Sequence, residues 1–102
     1  MIIAVFRSRV AKEHAAEFKK RYAEMSALVE AIPGYGSHES FSSANGENVL
    51  IVEFLTREAF ESWDTHPEHK KAKMLGKDYI FDSFDVKVGE VFERHTKPEV
   101  RV

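Results

Sequence analysis

From Ile2 to Val10 the chain alternates around β-branched and aromatic residues, with Ile3 and Val5 on one face and Ile2, Ala4, Phe6 and Val10 on the other. Period two with this residue usage predicts a strand. The period then changes. From Ala15 the apolar residues fall at Phe18, Tyr22, Met25, Val29 and Ile32, while Lys19, Lys20, Arg21 and Glu24 fill the far side. Steps of three and four draw one stripe down a helix, which Pro33-Gly34 stops. Two short runs follow, residues 35–42 and 48–55, separated by Ser43-Ala44-Asn45-Gly46-Glu47. Asn-Gly tolerates positive φ and marks a hairpin, so strands two and three are predicted to pair antiparallel. Thr56 can cap a second helix carrying Ala59, Phe60 and Trp63, and Pro67 opens a further helical segment to about Leu75, with Gly76 as its stop. Residues 84–93 alternate again, with Phe84, Val86, Val88 and Phe92 on one face, and predict strand four. The expected order is β-α-β-β-α-β.

Strand three reads Val49-Leu50-Ile51-Val52-Glu53-Phe54-Leu55, apolar at both parities, which is expected only where both faces of a sheet are covered. Two helices on one face of a four-stranded sheet leave the other face bare. A chain of 102 residues has no further element to place there, and a second copy is the simplest cover. A homodimer with its sheets face to face is therefore expected. With 43% hydrophobic and 31% charged residues the composition is that of a globular domain. Fifteen Lys and Arg against seventeen Asp and Glu give a charge of -2, too weak a field to recruit nucleic acid or an anionic membrane. Cysteine is absent, which removes disulfides, thiolate nucleophiles and Cys-ligated metals. No aliphatic run approaches a membrane span and the start lacks a leader's pattern, so a cytoplasmic location is expected. Residues 1–95 are taken as one domain and residues 96–102 as a tail.

The Ile32-Pro33-Gly34-Tyr35 turn, the Thr56-Arg57-Glu58-Ala59-Phe60 helix entry and above all Trp63-x-x-His66-Pro67-Glu68-His69 resemble the antibiotic biosynthesis monooxygenase domain over nearly the whole chain. That resemblance implies an α+β, ferredoxin-like antiparallel sheet with two helices on one face, assembled as a dimeric α+β barrel. It also implies one small pocket per subunit between sheet and helices, often serving cofactor-free oxidation of polycyclic phenols to quinones. This chain departs from two branches of the family. Phenol-oxidising relatives resemble one another in an Asn and a Trp on strand three, where Leu50 and Phe54 stand here. Haem-degrading relatives carry an Asn on strand one, a Trp on helix two and an axial His; the matching positions here are Arg7, Trp63 and Lys73. A lysine at the axial position argues against haem chemistry.

Candidate chemistry falls to His, Arg and aromatic residues. His66-Pro67-Glu68-His69 reads first as a helix-initiation motif, with Pro at the first helical position, Glu68 at the positive end of the helix dipole and His69 packed on the sheet. The sharper reading turns His69 into the pocket as a proton acceptor for a phenol or enol. Two histidines and one glutamate do not define a metal site. His38 alternates with Gly36 and Ser40 and either borders a cavity, as a second candidate base, or faces solvent. Trp63 is core by spacing and pocket wall by family position, with Phe54 beside the substrate. Arg7 shares the parity of Ile3 and Val5, taken as the helix-covered face, and needs Glu53, Glu90 or a substrate oxygen as partner. Tyr79 could lend a hydroxyl. No spacing defines a carboxylate pair, a nucleophile elbow or a phosphate loop. The expectation is a cofactor-independent monooxygenase acting on a small aromatic or enolisable molecule; the alternative is a non-catalytic dimeric barrel that binds a hydrophobic metabolite.

Overall fold

The computed structural model describes residues 1–99. Four strands, β1 (Ile2–Val10), β2 (Tyr35–Ser42), β3 (Asn48–Phe54) and β4 (Phe81–Glu90), form one antiparallel sheet in the order β2-β3-β1-β4. Helix α1 (Ala15–Glu30) links β1 to β2, and the second helical connection comes in two pieces, α2 (Arg57–Asp64) and α3 (Pro67–Leu75). This is the α+β ferredoxin-like architecture that the order of elements implies. Of the tail expected at residues 96–102, positions 100–102 lie outside the described residues.

The register decides which parity faces the helices. Ile2 pairs with Phe54, Ala4 with Val52 and Phe6 with Leu50, and these even-numbered residues turn toward the helices. Ile2 and Phe54 enter the core with Val29 of α1 and Ala59 and Trp63 of α2. The odd set, Ile3, Val5, Val49 and Ile51, lies on the open face, where the apolar side chains remain only half-buried.

Two turns carry the construction. After α1 the backbone reverses through Gly34 at φ +88°, and a Cβ there would meet Ala59 Cβ at 2.7 Å, so glycine is required by both conformation and packing. The Gly34 carbonyl accepts from Leu55 N at 2.7 Å, and Thr56 Oγ1 caps α2 by accepting from Ala59 N at 3.1 Å. The turn after α1 thus fixes the entry of α2. In the hairpin, Gly46 takes φ +86°, as the Asn-Gly pair predicts.

Gly76 does not stop the helix. The chain continues from α3 through a π-helical turn, Gly76–Ile80, and β4 starts at Phe81 and ends at Glu90, rather than spanning 84–93. Gly76 has ordinary helical angles, φ -61° and ψ -47°, so its small size serves packing: a Cβ would sit 2.6 Å from Phe81 Cε2. The ring of Phe81 is edge-on to Phe6 and Phe18, with centroids at 5.2 and 5.6 Å.

Candidate functional site

Sheet and helices do not close on one another completely. Between them lies a cavity of about 450 Å³ with mostly apolar walls. Its floor is the even-numbered face of the sheet, including Phe6, Leu50, Val52 and Phe54. One side is α1 with Phe18, Tyr22 and Met25, and the other is the second helical connection with Phe60, Trp63 and His69. Toward β4 the floor continues as Phe84, Val86 and Val88, which are about half exposed.

His69 lines this cavity and is held from two sides. Its ring lies on the Trp63 indole, with centroids 4.3 Å apart and planes at 15°, and its Nδ1 is 2.9 Å from the Trp63 carbonyl oxygen. A carbonyl only accepts, so Nδ1 carries the proton and the free lone pair is on Nε2. Burial pushes the His69 pKa below its ordinary 6.5, against the opposing pull of the carbonyl, with neighbouring Lys73 adding to the depression. The imidazole is therefore neutral at pH 7, with its tautomer and plane set by the chain itself. It rests on an indole, not on the sheet as a simple initiation motif would place it.

That motif is nonetheless real. His66 is the N-cap of α3, its Nδ1 accepting from Glu68 N at 3.1 Å, with Pro67 in the first turn. The two histidines of one tetrapeptide divide the work: His66 starts the helix and His69 meets the cavity. Among the described residues no group of three or more His, Cys, Asp or Glu could hold a metal.

His38 also borders the cavity. Its Nδ1 is 2.6 Å from the Tyr35 hydroxyl, and the ring stands edge-on to Tyr35 and Tyr22. Burial raises the Tyr35 pKa, with nearby Glu30 adding to it, so this phenol keeps its proton. Phe54 and Trp63 are wall and core at once, only 1% and 7% exposed.

Arg7 and Tyr79 do not belong to this site. Arg7 is odd-numbered, and its parity is that of the open face, not the helix-covered one. The guanidinium reaches the hairpin, where Nη2 and Nε donate to Glu47 Oε1 at 2.8 and 3.2 Å. Its partner is neither Glu53 nor Glu90. Both parities of β1 are apolar, so alternation alone could not say which one the helices cover. Tyr79 is turned outward by the π-helical turn, donates to Glu17 Oε2 on α1 and stands edge-on to His14. Lys73, at the position compared with an axial haem ligand, donates to Asp64 Oδ1 at 2.8 Å and to the Asp64 carbonyl at 3.0 Å.

Three further residues at the cavity, Gly76, Lys77 and Ile80, are legible only once the helix is known to run past Gly76. His69, Ala72, Lys73, Gly76, Lys77 and Ile80 follow one another by three, one, three, one and three positions, a single stripe along α3 and the π-helical turn, and all six line the cavity. Ala72 is small, which leaves volume against this helix, whereas the space beside Gly76 is taken by the Phe81 ring. Arg21 joins from α1.

A ferredoxin-like α+β sheet with a cavity between sheet and helices defines a broad class of small proteins, within which the sequence is more specific. Residues 1–74 match the antibiotic biosynthesis monooxygenase family, and the chain belongs to that family. It is 28% identical over 88 residues to the uncharacterized protein YqjZ of Bacillus subtilis (strain 168), covering 86% of this chain and 77% of that protein. The fold is similar to that of a Deinococcus radiodurans protein carrying the same family name, with a TM-score of 0.84 and 14% identity over 97% of this chain and all of the other. It is similar also to SnoaB, a cofactor-independent oxygenase from Streptomyces nogalater, with a TM-score of 0.79 and 20% identity over 96% and 97% of the two chains. Among the described residues no helix is long and apolar enough to cross a membrane.

Proposed function

We propose that the cavity is the active site of a monooxygenase that works without a bound cofactor, on a small aromatic or enolisable substrate, with His69 as the base. One observation carries this reading: a neutral imidazole of defined tautomer faces an apolar cavity large enough for a fused-ring molecule. The reacting atom is a methylene carbon next to the phenol ring or carbonyl. Nε2 takes one of its two protons and leaves a delocalised carbanion. The imidazolium is stabilised through its Nδ1–H bond to the Trp63 carbonyl. The carbanion adds dioxygen to give a peroxide anion on the same carbon, and the imidazolium returns its proton to make the hydroperoxide. Loss of water, which takes the second hydrogen of that carbon and the outer oxygen, leaves a ketone. One dioxygen is consumed and one water released per substrate. Trp63 and Phe54 hold the flat substrate, and His38, tied to Tyr35, is a second group able to pass a proton.

The functional unit in this reading is a dimer of two copies packed across their open sheet faces, where Ile3, Val5, Val49 and Ile51 would complete a core. Sedimentation equilibrium is expected to give twice the mass of the chain at micromolar concentration; a monomer contradicts this part. A second reading, in which the cavity binds a hydrophobic metabolite without converting it, draws on Leu50 and Phe54, which give the β3 wall no polar group to orient a substrate. Oxygen uptake coupled to loss of a phenol or anthrone separates the two. Turnover that falls about a hundredfold or more in His69→Ala supports the oxygenase, whereas tight binding with no oxygen consumption supports the binder.

A further inference from the structure

The charged residues at the cavity are unevenly paired. Arg21, Lys73, Lys77 and Asp64 line it. Lys73 and Asp64 satisfy one another at 2.8 Å. Arg21 has Glu17 at 3.8 Å, the outer limit of an ion pair, and Glu17 is also engaged by the Tyr79 hydroxyl and does not line the cavity. Lys77 forms no ion pair with any described carboxylate, and its neighbour Asp78 lies outside the lining. The Tyr79–Glu17 bond holds the π-helical turn against the start of α1, and the Phe18–Phe81 ring contact holds the adjoining start of β4 there, so Arg21 and Lys77 belong to adjoining elements. A cationic surplus thus borders an otherwise apolar cavity in a chain whose net charge is -2.

We infer that the small molecule taken by this cavity is an amphipathic carboxylate. Its carboxylate sits between Arg21 and Lys77 at the edge, and its apolar rings lie along Ala72 and Phe81 and reach His69. The inference rests on the cavity being a substrate site and names the class of substrate. Arginine offers a fork matched to a carboxylate and lysine a mobile point charge, and with Arg21 partly buried and Lys77 exposed the anion is held without losing its hydration fully. The same charges disfavour cationic ligands and let the reactive carbon, not the acid group, go deepest.

Titration calorimetry with 2-naphthoate and 2-naphthamide, which share rings and size and differ in charge, tests this on the full chain. The naphthoate is expected to bind about fivefold tighter at low salt, the yield of two partly exposed ion pairs. The preference should shrink at about 0.5 M salt, where charges at this distance are screened. Lys77→Met and Arg21→Gln should each reduce it, and together they should abolish it while naphthamide affinity stays the same. Equal binding of the two ligands by the wild-type protein overturns the carboxylate assignment and leaves the substrate site standing; so does a preference that persists in the double variant. Binding of neither ligand counts against the site itself. The wild-type comparison does not depend on how well either variant folds.

Discussion

Replacing Gly76 by alanine sets two effects of opposite sign against each other. Gly76 has helical backbone angles, and in an open helix Ala is favoured over Gly by about 1 kcal/mol. At this position the new Cβ would lie 2.6 Å from Cε2 and 2.8 Å from Cδ2 of Phe81. The Phe81 ring cannot simply swing aside, because Phe6, Phe18 and Phe84 stand around it at 5.2, 5.6 and 6.2 Å. Overpacking of this kind costs ~1–3 kcal/mol. With the ring boxed in, the clash belongs to the upper half of that range, ~2–3 kcal/mol, and after the helical gain of about 1 kcal/mol the expected net loss is ~1–2 kcal/mol, equivalent to a fall in Tm of roughly 5–10 °C for a domain of this size. Thermal unfolding followed by circular dichroism at one fixed protein concentration measures it, since self-association would make Tm depend on concentration. Adding Phe81→Leu in the Gly76→Ala background should recover part of the loss by freeing the space. A Tm that rises in Gly76→Ala refutes the packing role of the glycine, because it means that the helical preference of Ala outweighs any clash with Phe81.

Three other outcomes follow from the same geometry. His69 is held neutral by burial, so its folded pKa lies below 6.5 while the unfolded chain keeps the ordinary value; the unfolded state binds more protons, and stability should be full above about pH 6.5 and fall as pH drops below it. Urea titrations at stepped pH should show this loss in the wild type and a smaller one in His69→Gln; equal slopes contradict the burial argument. Thr56→Ala removes the cap on Ala59 N and should cost about 1 kcal/mol in the same assay, with an effect near zero contradicting the cap. Arg7→Gln should leave substrate turnover unchanged, because the guanidinium serves Glu47 on the far side of the sheet; a large fall in turnover would bring Arg7 back into the site.

Local signals in the sequence carry most of the fold. The bounds of β1, the start of α1 at Ala15, the turn at Gly34 and the hairpin at Gly46 each follow from period, cap or positive φ, which are properties of a few adjacent residues. Gly76 misleads because a glycine near a helix end has two physical causes, backbone conformation and close approach, and only the neighbouring Phe81 ring distinguishes them. That single ambiguity hides the continuation of the His69 stripe to Ile80, and with it Lys77 and the outward turn of Tyr79. Arg7 fails for a different reason. Both parities of β1 are apolar, and the pairing register that assigns one to the helices is a long-range property. His69 is legible as a residue type at a helix start, but the bond from its Nδ1 to the Trp63 carbonyl depends on the angle between α2 and α3, which no local pattern specifies.

In the proposed function His69 acts as the base for direct oxidation of a substrate by dioxygen. An oxygen-electrode measurement on purified protein, with anthrone-type and phenolic carboxylate substrates and product analysed alongside, tests it most directly. One dioxygen is expected to be consumed per ketone or quinone formed. The activity is expected to be lost in a His69→Ala protein with the wild-type circular dichroism spectrum and to persist in Arg7→Gln. Full activity in His69→Ala, or no uptake by the wild-type protein with any substrate that calorimetry shows it to bind, contradicts it.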